Sequence, residues 1–492
     1  MKILLIFPST GYYTRALSNP LGLLSIGSHL KRIGHDVKIY DRNVDSTKIS
    51  KVFSDFRPDM VGVSVMSSRG LKDAIKVSKA AKERNICVAW GGQMPSMQPE
   101  LVLENNDVDY VMIGEGEFTF EELIEVVEKK REPDSVDGIA FRRDGEIIKT
   151  HFREFADLSE MPITDWSLID VDKYLQPYLG CEKMIYLYSS KGCPCSCTFC
   201  SNACFHRSTH RKRPNEYVIE EIKYLIENHG IDGVYFSDEL WCLKRSDMLD
   251  FCRRVKDNNL KFRWGVQLRI GLFNEEDFKI MYDAGCRWVF FGIESGSKDM
   301  LKAIHKNIDY DKIMPTFEYM KKIGYTTVAS FIIGYPDETE EQLKETVKML
   351  NRISASLTPV FHFTPLPGTE LYDEAIASGK YKPAASLKEL SKVIATESVG
   401  KNLSKVPTKE LRVIRSWYHW KSFSNKDALA SKKPFEFAKQ TILSGLHSIS
   451  QKGPIYFFID GFSAFCEFIY VFWYSHFYHE AIKKYGLNDK KN

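Results

Sequence analysis

Along most of this chain, short apolar runs alternate with longer amphipathic stretches, and they do so in two separate rounds. Such alternation builds a parallel sheet with helices on its faces, and ligands then sit at the carboxyl ends of the strands. In the first round, residues 1 to about 130, the strand candidates are Ile3–Phe7, Val37–Tyr40, Met60–Val65, Cys87–Trp90 and Tyr110–Ile113. From Pro20 to Ile33, residues Leu23, Leu24, Ile26, Gly27 and Leu30 share one helical face, and Gly34 ends the helix. Further helices are expected from about Lys48, over Leu71–Arg84 and over Glu121–Lys129. Gly91-Gly92 and Gly114-Glu115-Gly116-Glu117 read as tight turns after the last two strands. The expected fold of this round is Rossmann-like and doubly wound.

Residues 131–180 read as a linker, with a hairpin at Asp144-Gly145 between Ile139–Phe141 and Glu146–Lys149. The second round spans about 181–384. Its strand candidates are Met184–Tyr188, Gly233–Ser237, Phe262–Gln267, Trp288–Gly292, Thr327–Ile333 and Leu357–Phe363. Six strands alternating with helices suggest a partial (β/α)6 barrel with its chemistry at the strand C-termini. Residues 385–492 are mostly helical in pattern.

Immediately after the first barrel strand comes Lys191-Gly-Cys-Pro-Cys-Ser-Cys-Thr-Phe-Cys-Ser-Asn-Ala-Cys204. Within it Cys193, Cys197 and Cys200 form C-x3-C-x2-C, a spacing found nowhere else in the chain. Three thiolates on one loop can hold three irons of a [4Fe–4S] cube and leave the fourth open for a ligand. A closed zinc site completed by Cys195 and Cys204 is the other chemistry these residues allow.

The triplet, with Phe199 before its last cysteine, resembles the radical S-adenosylmethionine (SAM) superfamily. That resemblance implies an open iron that chelates SAM, and a reduced cluster that cleaves it to a 5′-deoxyadenosyl radical. Pro20-Leu21-Gly22-Leu23-Leu24, Gly91-Gly92-Gln93-Met94-Pro95-Ser96 and Ile113-Gly114-Glu115-Gly116-Glu117 resemble the cobalamin-binding domain that precedes many radical SAM cores. Cobalamin contacts are therefore expected at Gly91, Gly92, Gln93, Met94, Gly114, Glu115 and Gly116. The D-x-H-x-x-G signature of cobalt-ligating histidine proteins is absent. Gln93 and Met94 lie near where a lower-face group would stand, and a Rossmann-like domain without cobalamin is the alternative.

At the other barrel strand ends the same resemblance implies SAM contacts. Asp238 or Glu239 would meet the ammonium group and Glu294 the ribose hydroxyls. Arg269 would pair with the SAM carboxylate or with Glu294. Phe199 would pack on adenine, the Gly334 turn would let adenine approach, and Gln267 stands at the same edge. Pro365-Leu366-Pro367-Gly368-Thr369-Glu370-Leu371-Tyr372 resembles the turn that leads out of such barrels. A low-potential electron donor such as flavodoxin or ferredoxin is implied as a partner.

The 492 residues carry a net charge of +3, which argues against a dedicated nucleic-acid binder. Eleven cysteines without an export signal predict reduced thiols in a cytoplasm. Cys87 and Cys286 read as small core hydrophobes. Ala430–Pro434 reads as a loop. Pro454–Tyr478 is dense in aromatics, interrupted by Asp460 and Glu467, and reads as a helical cap on the barrel mouth. A membrane-surface patch or the wall of an apolar, lipid-like small-molecule site are the other readings of that stretch. His476 and His479 read as surface or core residues. The leading expectation is a cobalamin-dependent radical SAM methyltransferase acting on an unactivated carbon. Ring formation or oxidation with the same parts is the alternative, and a non-catalytic cobalamin or redox sensor a further one.

Overall fold

A computed structural model describes residues 1–10, 18–392, 401–424 and 479–487. The loop near 430 and the aromatic stretch 454–478 lie outside the described residues, as do His476 and the side chain of His479.

The first sheet has the order β2-β1-β3-β4-β5-β6-β7. Its parallel strands are β1 (Lys2–Phe7), β2 (Asp36–Asp41), β3 (Met60–Ser64), β4 (Cys87–Gly91) and β5 (Tyr110–Met112). All five strands of the first round are thus where the apolar runs put them, and 2-1-3-4-5 is a doubly wound order. Ile3, Leu4, Leu5 and Ile6 of β1 are all fully buried. A strand covered on both faces has no polar side to alternate with. Successive side chains point to opposite faces, so Ile3 and Leu5 join one apolar cluster and Leu4 and Ile6 another. Trp90, buried on β4, donates its ring N–H to Ser78 at 2.8 Å, which removes the cost of burying that group.

The hairpin β6 (Ile139–Arg143) and β7 (Glu146–Lys149) forms at the expected turn. Asp144 and Gly145 both have positive φ, 52° and 85°, the conformation a two-residue hairpin loop needs. It does not stand apart as a linker. It pairs antiparallel with β5 and extends the first sheet. The segment that follows is stitched to β2 of the first sheet and to the helix Asn215–His229 of the second module. Tyr174 donates to Asp41 at 2.9 Å, and the Thr164 amide donates to Glu221 at 2.7 Å.

The second sheet has the order β16-β15-β14-β13-β12-β9-β8. Six strands are parallel: β9 (Cys181–Leu187), β12 (Gly233–Phe236), β13 (Arg263–Leu268), β14 (Cys286–Glu294), β15 (Thr326–Ile333) and β16 (Val360–His362). This is the expected partial barrel. Short β8 (Gln176–Tyr178) closes its outer edge antiparallel to β9. A ribbon absent from the sequence reading, β10 (Ser190–Gly192) with β11 (His210–Lys212), ties the base of the cysteine loop. Helices Thr408–Ser424 and His479–Lys484 pack against each other, the former also against β16. Tyr418 fixes the first to Asn351 at 2.7 Å, and Tyr485 links the second to Glu410 at 2.6 Å. Among the described residues no helix is long and apolar enough to cross a membrane.

Candidate active site between two sheets

The cysteine loop leaves the ribbon at Gly192. Its φ is +85°, and a Cβ there would collide with the Thr209 carbonyl, so only glycine fits. The Gly192 amide donates to Glu239 at 3.0 Å. Further along, the Thr198 amide donates to the Ile304 carbonyl at 3.2 Å, and the Leu371 amide to the Thr198 carbonyl at 3.1 Å. Cys197 is buried; Cys193 and Cys200 are half-buried. Burial pushes the Cys200 thiol up to about 11 and raises that of Cys197, while Lys306 and Arg269 act against burial at Cys197. Three sheltered thiols with two cations beside them suit an anionic cluster better than neutral thiols. Among the described residues no three His, Cys, Asp or Glu side chains converge on a single ion, and a cube asks each thiolate to bind a different iron.

Around the loop the strand ends bring most of the expected residues together. Asp238 is fully buried and accepts from the Ser189 amide at 2.8 Å and its hydroxyl at 2.6 Å. Burial pushes its carboxyl up to about 6. Glu239 faces His206 at 3.4 Å. Burial raises its carboxyl, but His206 and backbone amides, Gly192 included, together outweigh this and leave it below the ordinary value. Phe199 meets Tyr335 edge-on at 5.8 Å between ring centres, in an apolar group with Met300, Leu301, Ile304 and Phe363. Gln267 is half-buried on β13, and its carbonyl accepts from the Trp241 amide at 3.0 Å. Gly334, with φ +83°, donates to Glu338 at 2.6 Å. Glu338 is buried, pushed up to about 7, and its other oxygen has no partner among the described residues; nor has the Tyr335 hydroxyl or the Thr198 hydroxyl. Unpaired buried polar atoms are costly, so their gathering at one mouth fits a polar ligand there.

Two partnerships lie outside the sequence reading. Arg269, half-buried, lays its guanidinium on the Cys195 sulfur rather than on Glu294. Glu294 is instead paired with Lys306 at 3.0 Å, a residue the sequence reading did not single out. The signal for it is weak, because Lys306 lies twelve residues beyond Glu294 and only the fold returns it.

The first sheet presents its strand C-termini to this mouth. The short helix Gln93–Met97 touches the short helix Ser201–Phe205 that follows Cys200, and Gln93 donates to Ser201 at 2.6 Å. Arg211 forks onto Glu115. Lys191 meets Glu117 at 2.7 Å, and Ser25 donates to the same carboxylate at 2.5 Å. Burial opposes the charge on Lys191 and on Glu117, but their mutual attraction, with Ser25 helping Glu117 and Glu115 helping Lys191, outweighs that cost. Met94 packs its side chain into the first sheet's core. The glycines of the two turns make room for protein atoms. A Cβ would stand 2.9 Å from Met112 at Gly91, 2.9 Å from the Val65 carbonyl at Gly92, 3.2 Å from Phe152 at Gly114 and 2.7 Å from Ile26 at Gly116. Near this edge Met66, two residues past β3, is 54% exposed, the most exposed large apolar side chain among the described residues.

A doubly wound sheet facing a partial barrel, with a C-x3-C-x2-C loop between them, defines a radical SAM enzyme with a cobalamin domain. Residues 187–350 match the Radical SAM superfamily and residues 15–124 the B12 binding domain. The chain is 34% identical over 389 residues to an uncharacterized methyltransferase of Pyrococcus horikoshii, covering 77% of this chain and 84% of that one. It is 26% identical to the cytidylyl-2-hydroxyethylphosphonate methyltransferase of Streptomyces wedmorensis, with 78% and 84% covered. It is also 26% identical to the anaerobic magnesium-protoporphyrin IX monomethyl ester cyclase of Rubrivivax gelatinosus, with 76% and 70% covered. Among solved structures, the radical SAM methyltransferase TsrM of Kitasatospora setae, with cobalamin and a [4Fe–4S] cluster bound, shares the fold. The TM-score is 0.71 at 17% identity, over 90% of this chain and 95% of that one. The chain belongs to the cobalamin-binding radical SAM family, and its cofactors are a [4Fe–4S] cluster, SAM and cobalamin.

Proposed function

We propose that this chain transfers a methyl group to an unactivated carbon of a small molecule. The observation that supports it most is the 2.6 Å bond from Gln93 to Ser201. It joins the ligand edge of the cobalamin domain to the residue after Cys200, so a substrate between the sheets would face both cofactors. When bound, the cluster with SAM supplies hydrogen-atom abstraction and cobalamin supplies the methyl group.

In this reading Cys193, Cys197 and Cys200 hold the cluster. Glu239 receives the SAM ammonium in preference to Asp238, whose oxygens are already taken by Ser189. Glu294 accepts from the ribose, Phe199 and the Gly334 turn shelter the adenine, and Arg269 keeps a cation at the sulfur edge. Gly91, Gly92, Gln93, Met94, Gly114, Glu115 and Gly116 shape the cobalamin edge, the glycines through tight packing of the loops. The chain's own work is to orient the reactants and exclude water; holding reacting groups in line can lower a barrier by about 7–11 kcal/mol.

Ring formation or oxidation is the second reading, supported by the cyclase relative. Reduced, reconstituted protein is given SAM with a deuterated methyl group, together with a small-molecule extract. A product in which one hydrogen is replaced by the labelled methyl group supports methyl transfer. 5′-Deoxyadenosine with a product that has lost hydrogen or gained oxygen supports the second reading. Neither product would leave only a sensor.

A further inference from the structure

We propose that Lys306 is a positioning residue. It places one fixed positive charge against Glu294, on a turn bonded to the cysteine loop beside Cys197, where it orients Glu294 and favours the reduced cluster. This rests on the assignment of Cys193, Cys197 and Cys200 as the cluster ligands.

The charge is built in by several independent devices. Helix Lys298–Ala303 ends in a paired cap: the His305 amide donates to Lys302 at 3.1 Å and the Lys306 amide to Leu301 at 2.9 Å. His305 takes φ +53° there, a left-handed position usually left to glycine. That cap fixes where the Lys306 side chain starts. The same turn is bonded to the cysteine loop through Ile304 and the Thr198 amide, so the lysine and the thiols move together. Opposite it, Glu294 has φ +71°, where the register of β14 against β15 slips. Strain of about 1–3 kcal/mol at such a residue persists only where surrounding contacts impose it. Gly292 clears the space: a Cβ there would collide with the Glu294 carboxylate and stand 2.9 Å from Lys306 Nζ.

The lysine side chain is 14% exposed and its carboxylate partner 9%. Burial works against the ammonium, yet the Glu294 carboxylate 3.0 Å away favours it and keeps Lys306 charged. A neutral partner would satisfy the Glu294 oxygen as a hydrogen-bond donor. Only a cation also offsets the negative charge that the cluster gains on reduction, and in a sheltered site that offset is weakly screened. Net charge near a cluster is one of the levers that set its potential.

The test uses the full chain, reconstituted anaerobically without SAM, and reads the cluster midpoint by potentiometric EPR titration. Lys306→Gln is expected to lower the reduced-to-oxidised ratio at fixed potential about tenfold, a midpoint about 59 mV more negative for one electron. Lys306→Arg is expected to keep the wild-type midpoint. Equal midpoints in all three proteins overturn the proposal, and so does one shift shared by both variants, which would report packing rather than charge. If Lys306→Gln fails to load a cluster, Lys306→Arg decides: loading with the wild-type midpoint upholds the charge requirement, and failure to load overturns it. A wild-type chain that assembles no cluster would instead sink the cysteine assignment.

Discussion

The two sheets present unlike edges to the cleft they share. At the barrel edge the strand ends carry buried acids, and several polar atoms are left without partners among the described residues: the Glu338 oxygen and the Tyr335 and Thr198 hydroxyls. At the first sheet's edge the glycine turns are filled by their own neighbours, and one methionine near them, Met66, is exposed. One edge is prepared for a small polar ligand that must be held in a single pose. The other is shaped by the close packing of its own turns. A ligand gripped by directional bonds tolerates little change at its contacts; one laid on a surface depends on that surface keeping its shape.

Substitutions can break this contrast, the severest first. Cys197→Ala removes a thiolate from the barrel edge. Iron content and charge-transfer absorption should be lost and SAM cleavage should fall to background, while corrinoid binding, measured by equilibrium dialysis, should persist. Loss of both would mean that the two edges are not independent. Lys191→Met leaves Glu117 charged and buried at the seam between the sheets. Breaking such a pair costs about 3–5 kcal/mol, to be read from denaturant unfolding. Should stability hold, the seam is not a source of rigidity.

Acidity sharpens the comparison. Burial holds the Glu338 carboxyl at about 7 in the fold, above its ordinary value of 4.5. The folded state is therefore favoured while the group is protonated, below about 4.5. That advantage is lost as pH climbs through 7, by about 3 kcal/mol in all. Glu338→Gln should flatten this part of the stability curve of the cofactor-free chain; an unchanged slope would show the carboxyl to be ordinary. The smallest effect is expected at Gln93→Ala, which deletes the bond to Ser201. It should cost about 0.5–1.5 kcal/mol of stability and leave the cluster spectrum intact, while slowing product formation. Unaltered turnover would mean that the two edges need no alignment from this bond.

Much of the fold was legible because strands such as Ile3–Phe7 and Thr327–Ile333 are apolar on both faces, a pattern that local sequence carries by itself. The cysteine triplet stands out for a like reason, since its spacing runs along a single loop. What escaped the reading depends on distant pairing. The ribbon β10–β11 joins segments too short to show a period. Gln93–Met97 and Pro99–Leu103 hide their helices behind prolines that read as turn. Lys306 and Arg269 acquired their partners through a cap and a strand end, and no residue beside either one announces that. Glu115 was expected at a ligand turn, yet its carboxylate is engaged by Arg211 across the seam.

The seam has a consequence for anyone exchanging modules within this family. Gln93, Glu115 and Glu117 belong to the first module, and their partners Ser201, Arg211 and Lys191 flank the sulfur loop of the second. A chimera that imports a foreign front half without recutting those three positions would bring an unmatched face to the very loop proposed to hold the cluster. Modules that look separable in the chain are keyed to one another like the halves of a mould.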